Sequence, residues 1–208
     1  MKYAVSMART YTQDARAEAA AAKRLRVLDA AIDMLASEPL PRVTLDAVAR
    51  RAGAARSTVY VMFGSRAGLF DAVARRLLER IGFDRLVAAV AAPDPLDALR
   101  QAMHESVRLY AEQRDAARAL WSWADLDTDA AGAFAVLDGG RASGTAHLVG
   151  RLAAAGRLRP GVGPDEAADV LYVLTSFDTF DQLFTERQLT PDTVERRLQL
   201  LLGSIVSV

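Results

Sequence analysis

The sequence predicts an all-α fold, with an N-terminal three-helix domain built on a helix-turn-helix and a larger helical domain after it. Three observations favour this class. Apolar residues recur at the spacing of one helical face along most of the 208 residues, and strand-like alternation is nearly absent. Prolines and glycines divide the chain into helix-length segments. Hydrophobic residues make up 51% of the chain, which is enough for a substantial buried core.

The first helices have clear start and stop signals. An alanine-rich segment from about Ala15 leads into an apolar face that ends at residues 37–41, where the prolines disfavour further helix. Thr44 suits the N-cap of the next helix, and Gly53 can close it because glycine tolerates left-handed backbone. A short third helix is expected at about residues 55–62.

The remaining helices are marked in the same way. Gly64-Ser65 precedes a helix that extends to about Gly82, with Ser65 as its cap. Asp94 caps a helix that begins with Pro95. Thr190 caps the last helix. Further helices are expected at about 115–125, 129–155 (loosened by its glycines), 165–187 and 191–206, with a loop over 156–164.

The stretch from Thr44 to Leu69 (TLDAVARRAGAARSTVYVMFGSRAGL) has the layout of a helix-turn-helix. In this motif the second helix lies in the major groove of DNA and the first braces it. Arg56 and Ser57 are candidates for base recognition, since arginine can pair with guanine through two hydrogen bonds. Val61 occupies a groove-facing position from which it can touch thymine methyl groups.

The spacing of this stretch resembles the TetR family of bacterial transcriptional regulators. The matching residues are Thr44, Ala49, Gly53, Thr58, Tyr60, Phe63, Arg66 and Leu69. The resemblance implies that Thr44, Thr58 and Tyr60 contact the DNA backbone and that Arg66 binds phosphate at the start of the next helix. The sequence departs from the family pattern at Ala55, Val61 and Met62. Ala55 removes a capping side chain, and Met62 removes a polar aromatic.

The charge distribution supports a division of the chain. Residues 1–80 hold 14 Lys+Arg against 8 Asp+Glu, and the remainder holds 12 against 18. A basic first part suits contact with polyphosphate. We expect a basic arm over residues 1–20, a helix-turn-helix domain over 21–70, and an effector-binding and dimerisation domain over 71–208. The arm is either a minor-groove extension or a disordered leader.

The resemblance implies that the C-terminal domain dimerises, and two broad apolar stripes agree with this. Such stripes can form a four-helix bundle between two subunits, although both helices can also be internal. The dimer-interface candidates are Val170, Val173, Phe177, Phe180, Phe184, Val194, Leu198, Leu201, Leu202 and Ile205.

The resemblance also implies a small, largely apolar effector. The pocket candidates are Met103, Tyr110, Trp121, Trp123, Phe134, His147 and Tyr172. Ordinary core packing is the alternative for each aromatic residue. Trp121 and Trp123 lie about 200° apart on a helix and therefore cannot both face one pocket. No metal or cofactor is expected, because His104 and His147 are the only histidines and cysteine is absent.

Together these features predict a cytoplasmic, homodimeric transcriptional repressor that leaves a near-palindromic DNA operator when an effector binds. No membrane span, secretory signal or catalytic residue is expected. Control by a protein partner, or action as an activator without a small effector, is one alternative. A helical enzyme using His104 or Asp178 is another, although no nucleophile and base are spaced to support it.

Overall fold

The computed structural model describes residues 2–80, 83–124 and 127–207, which form helices joined by turns and loops and contain no extended strand. The helices are α1 Lys2–Ser37, α2 Leu45–Arg51, α3 Arg56–Phe63, α4 Arg66–Arg80, α5 Phe83–Val90, α6 Pro95–Glu112, α7 Arg114–Ala124, α8 Thr128–Ala154, α9 Pro164–Leu174, α10 Phe177–Asp181 and α11 Pro191–Leu202. A 3-10 turn, Leu40–Arg42, precedes α2, and a π-helical turn, Gln182–Glu186, follows α10. The predicted all-α class is confirmed.

The chain forms two compact units, Met1–Arg76 and Leu77–Val208. This boundary and the division expected after residue 70 both fall within α4. Apart from Met1, the segment expected as a basic arm belongs to α1. Whether it contacts DNA stays a prediction.

Several helix ends follow from local chemistry that the sequence displayed. Thr44 Oγ1 accepts a hydrogen bond from the Ala47 amide at 3.2 Å, as an N-cap does. Asp94 Oδ1 accepts from two amides at 2.9 Å at the start of α6. Gly53 has φ +62° and so provides the left-handed residue after α2. The predicted caps Ser65 and Thr190 are also confirmed.

Each unit has its own apolar core. In the smaller unit the buried residues include Val27, Ala31, Ile32, Val43, Val48, Val59, Leu69, Phe70 and Val73. In the larger unit they include Leu99, Met103, Val107, Leu152, Leu171, Phe180, Val194, Leu198 and Ile205. These side chains occupy the inward faces of their helices, so the helical periodicity of the sequence was a sound guide to burial.

The helix expected over residues 165–187 is broken, which corrects the sequence-based interpretation. α9 ends at Leu174, and Ser176 N-caps α10 by accepting from the Thr179 amide at 3.1 Å. The Tyr110 hydroxyl donates to the Thr175 carbonyl at 3.1 Å. The hydroxyls of Thr175 and Ser176 bond to nearby backbone groups and compete with a continuous helix.

Two other helices differ from expectation. α5 was not predicted as a separate element. α8 continues through Gly139, Gly140 and Gly144 without the expected loosening. Asp127 caps its first turn, and Leu148 and Leu152 bury its second half, so packing outweighs the low helix propensity of glycine.

Candidate nucleic-acid interface

The turn between α2 and α3 allows the two helices to approach closely. The Ala54 amide donates to the Ala49 carbonyl at 2.9 Å across the turn. Ala49 is buried, and so are Val59 and Phe63 on the inward face of α3. Small side chains at the turn and two anchoring residues four positions apart therefore fix α3 against the rest of the unit.

The opposite face of α3 is available to a partner. Ser57 and Arg56 are exposed, Tyr60 is 40% exposed and Val61 is 88% exposed. Thr58 is half-buried. Ala55, the N-cap residue, makes no side-chain hydrogen bond, so the missing cap read from the sequence is confirmed. An α-helix start without a side-chain cap leaves amide donors for solvent or an external acceptor.

Arg56 is held in place by its neighbours. Its Nε lies 2.7 Å from Asp46 Oδ1 on α2, and its guanidinium carbon lies 5.4 Å from the Tyr60 ring centre. A hydrogen bond to Tyr60, followed by the charge of Asp46, raises the pKa of the Arg56 guanidinium. The structure thus brings two of the predicted DNA-contact residues together with an aspartate that the sequence analysis did not select.

Arg66 makes contacts within its own chain. Its Nε donates to the Val43 carbonyl at 3.0 Å, and its guanidinium carbon lies 4.5 Å from the centre of the Phe70 ring. These contacts join the start of α4 to the segment before α2. The phosphate contact expected for Arg66 stays a prediction, and so does that of Thr44, whose hydroxyl already caps α2.

Two residues important for this site were missed. Arg24 on α1 donates from Nη1 to the Met62 carbonyl at 3.0 Å and lies 4.6 Å from the Phe63 ring centre. Gly68 lies so close to α3 that a Cβ there would be 2.1 Å from the Phe63 carbonyl oxygen. Arg24 lies in the domain expected over residues 21–70 but upstream of the motif from Thr44 to Leu69, and it was not selected as a site residue. The sequence did show a glycine in the first turn of α4, which could have indicated the close approach of Gly68 to Phe63.

In the larger unit, several effector candidates meet in one aromatic cluster, which comprises Tyr110, Trp121, Phe134, Phe177, Phe180 and Phe184. Ring centres are 5.4 Å apart for Tyr110 and Phe177, and 5.0 Å apart for Trp121 and Phe134. Met103 is buried in the same core. His147 is exposed on α8, and the side chain of Trp123 lies outside the part that the structure describes.

Tyr172 lies in a separate polar group with Asp138 and Arg141. The Arg141 guanidinium donates to the Tyr172 carbonyl and lies 3.7 Å from the centre of its ring. The Tyr172 hydroxyl donates to Asp138 Oδ2 at 2.5 Å. Partial burial raises the pKa of Asp138, but hydrogen bonds from Tyr172 and Arg141 outweigh it, so the net pKa is lowered.

The predicted dimer residues divide by burial within a single chain. Phe177, Phe180, Val194, Leu198, Leu202 and Ile205 are at most 3% exposed and so form part of the chain's own core. Val170 and Phe184 are half-buried. Val173 and Leu201 are 58% and 51% exposed, and Leu200, which was not predicted, is 75% exposed. These last three are available to a second subunit.

A surface cleft of about 460 Å³ lies elsewhere in the larger unit, among α5, α6 and α11. Arg85, Arg100, His104 and Glu105 contribute to its lining, and none of the predicted pocket residues does. His104 Nδ1 lies 2.8 Å from Glu195 Oε2. Across the described ranges, no three acidic or histidine side chains gather as a metal site. No helix there is long and apolar enough to cross a membrane.

The turn geometry, the exposed face of α3 and the helical remainder define a helix-turn-helix protein. Residues 27–73 match the family model described as bacterial regulatory proteins, tetR family. The segment that holds α2 and α3 is therefore similar to that family. The HTH-type transcriptional regulator AlkX of Mycobacterium tuberculosis is 47% identical over 55 residues, which are 26% of this chain and 26% of that protein. The matched stretch therefore spans about a quarter of that relative's length.

Solved structures resemble most of the fold. NalD, the secondary repressor of the MexAB-OprM multidrug efflux pump in Pseudomonas aeruginosa, aligns with a TM-score of 0.71 and 24% identity. The alignment covers 91% of this chain and 98% of NalD. A complex of SmeT with triclosan aligns with a TM-score of 0.73 and 18% identity over 89% of this chain and 92% of SmeT. At these identities the likeness concerns the fold.

Proposed function

We propose that this chain is a DNA-binding transcriptional regulator of the bacterial cytoplasm, most simply a repressor that acts as a homodimer. The observation that carries the proposal is the outward face of α3, where Arg56, Ser57, Tyr60 and Val61 stand exposed above a buried anchor. Arginine, serine and tyrosine can bond to phosphates and base edges, and a valine can contact thymine methyl groups. The net positive charge of residues 1–80 favours the same partner.

A homodimer supplies the second reading helix. Two copies of α3 related by two-fold symmetry would enter successive major grooves of a near-palindromic operator, about 34 Å apart. The exposed apolar residues Val173, Leu200 and Leu201 support an interface formed by α9 and α11. Of the ten predicted interface residues this assignment keeps Val173 and Leu201, whereas six others are at most 3% exposed within the chain's own core.

We further propose that a small apolar effector acts through the aromatic cluster. A complex of SmeT with triclosan shows that one structural neighbour binds a chlorinated aromatic molecule. Tyr110, Trp121 and Phe177 provide aromatic faces of the kind that such molecules contact. An effector that prefers one dimer arrangement would shift the population away from the spacing that DNA requires.

A second candidate is a regulator without a small effector, controlled by a protein partner. The rings of the aromatic cluster contact one another, and Tyr110 and Phe180 are almost fully buried. A core that is already packed leaves less space for a ligand. Thermal unfolding with triclosan and with a library of small aromatic compounds separates the candidates, because a ligand at 100 times its Kd stabilises by about 2.7 kcal/mol.

DNA binding itself is tested with a selection from random 30-base-pair duplexes, followed by affinity measurements on the enriched sequences. Ser57→Glu should abolish enrichment, since it puts a carboxylate against the phosphate backbone. It should preserve folding, because an acidic residue is favourable near a helix N-terminus. Ala146→Glu makes the same charge change at an exposed position on α8 and should leave binding intact. Failure of the unmodified protein to enrich any sequence would contradict the proposal.

A further inference from the structure

The contact between α2 and α3 through Asp46 and Arg56 has features beyond a surface ion pair. Arg56 is the first residue of α3, and Asp46 lies in the first turn of α2. Their side chains are 69% and 34% exposed, with 2.7 Å between Nε and Oδ1. The pair therefore lies at the edge of the exposed face of α3, with its arginine outward and its carboxylate inward.

The carboxylate depends on this arginine. Asp46 Oδ1 is buried and accepts no hydrogen bond of regular geometry, so the close approach of Nε is an ionic contact that compensates its charge. A buried charged oxygen without compensation is costly, which keeps Arg56 where it is. The Tyr60 ring, 5.4 Å from the guanidinium carbon, adds a second constraint on the same side chain.

A guanidinium held by Asp46 through Nε does not use its two terminal nitrogens on that carboxylate, although the group also hydrogen-bonds Tyr60. Arginine has five N–H donors in a planar fork, and its two terminal nitrogens form an end-on pair. That pair has the spacing needed for guanine O6 and N7 in the major groove. Holding Nε fixes the plane of the group before DNA arrives and lowers the conformational entropy lost on binding.

We propose that Asp46 is a positioning residue for sequence recognition, which orients Arg56 so that the terminal nitrogens of Arg56 read a guanine. This inference rests on the proposed DNA-binding function and names the chemistry of that same site. Asp46 also places a negative charge beside the groove, which disfavours contacts between Arg56 and phosphate. Loss of Asp46 should therefore weaken discrimination between bases while strengthening sequence-independent binding.

The test is a parallel selection from random 30-base-pair duplexes with the full chain and its Arg56→Ala, Asp46→Asn and Asp46→Ala variants. Arg56→Ala should reduce the preference for guanine at one position of each half-site by about 5–150-fold. The Asp46 variants should reduce preference at that same position and at no other. Their affinity for unselected duplex should rise, with a steeper salt dependence as Arg56 turns to phosphate.

Glu38→Gln is the matched control. Glu38 is an acidic residue of the same unit, 30% exposed and 3.9 Å from Arg51. The Glu38→Gln variant should bind unselected DNA slightly more tightly, because its net charge is more positive, and its base preference should be unchanged. The inference is overturned if the Asp46 variants keep or sharpen the guanine preference, or if Glu38→Gln relaxes it equally. A protein that enriches no sequence would defeat the proposed function and this inference together. If the protein enriches sequences but the Arg56 and Asp46 variants do not lose preference at the same base position, the inference fails and the proposed function stands.

Discussion

Arg24 is a single side chain outside the helix-turn-helix that helps to hold α3 in place. Its guanidinium bonds to the carbonyl of Met62 and lies beside the Phe63 ring, at the C-terminal end of α3. A cation there interacts favourably with the carbonyl groups that end a helix. We expect Arg24→Ala to lower the free energy of unfolding by about 1 kcal/mol and to weaken DNA binding.

Arg26→Ala provides the control for this prediction, because Arg26 is exposed on the same helix and carries the same charge. Urea unfolding and DNA affinity should be measured for both variants. An equal loss of affinity in the two would assign the effect to net charge and not to the support of α3.

Gly68 is required by a close approach between backbones. An added Cβ would meet the Phe63 carbonyl oxygen at 2.1 Å, and a backbone atom cannot move aside as a flexible side chain can. Gly68→Ala should therefore destabilise the protein by about 1–3 kcal/mol. Gly150→Ala, where a Cβ would meet nothing within 4 Å, should not destabilise it. Thermal unfolding of the two variants decides the matter, and a neutral Gly68→Ala would refute the steric argument.

At the scale of helices, Tyr110 contributes a hydrogen bond at the break between α9 and α10. The hydroxyl of this buried residue donates to the Thr175 carbonyl, and burial raises its pKa to about 12. Tyr110→Phe should cost about 0.5–1.5 kcal/mol at pH 8 through loss of the hydrogen bond. Urea unfolding gives this value directly.

The raised pKa of Tyr110 also predicts a pH dependence. The unfolded tyrosine ionises near pH 10, whereas the folded residue stays neutral until about pH 12. The stability contributed by the neutral form is complete below pH 10 and is lost as the pH rises through 12. The loss approaches about 1.4 kcal/mol per pH unit. Unfolding at pH 9 and pH 11 should show this component in the unmodified protein and not in Tyr110→Phe.

Two glycines of α8 occupy positions that alanine can also fill. At Gly139 and Gly144 an added Cβ would meet nothing within 4 Å, and neither residue has a positive φ. Alanine at either position should stabilise the protein by about 0.5–1 kcal/mol, because glycine loses more conformational entropy in a helix. Thermal unfolding of each single variant checks this. A decrease in stability would contradict the entropy argument.

These elements show how far sequence reasoning reaches. Caps such as Thr44 and Asp94 and the turn at Gly53 were predictable because their chemistry is local. The break at Thr175 was not predicted: the local hydroxyls of Thr175 and Ser176 were visible in the sequence, but the hydrogen bond from a phenol 65 positions away was not. The same limit applied to the site. The polar side chains on the exposed face of α3 were visible in the sequence. The contacts of Asp46 and Arg24 with that helix were not, because they arise only when α1, α2 and α3 pack together.

For the whole molecule, the proposed dimer requires that the exposed apolar face of α11 is buried against the second subunit. Leu201→Glu should shift the protein to monomers and lower operator affinity, because a carboxylate cannot be buried in an apolar interface without compensation. Val87→Glu is a matched change, since Val87 on α5 is 52% exposed against 51% for Leu201. Sedimentation at micromolar concentration should separate the two. A dimer that survives Leu201→Glu would move the interface away from this residue.

The support that Arg24 gives to α3 also limits how far the proposed DNA-binding segment can be transferred by itself. The family match begins at residue 27, so a transplant bounded by that match would leave Arg24 behind. The transferred α3 would keep its exposed side chains and lose the arginine that bonds to its last turn. A chimera intended to carry this specificity into another regulator should therefore begin upstream of residue 24.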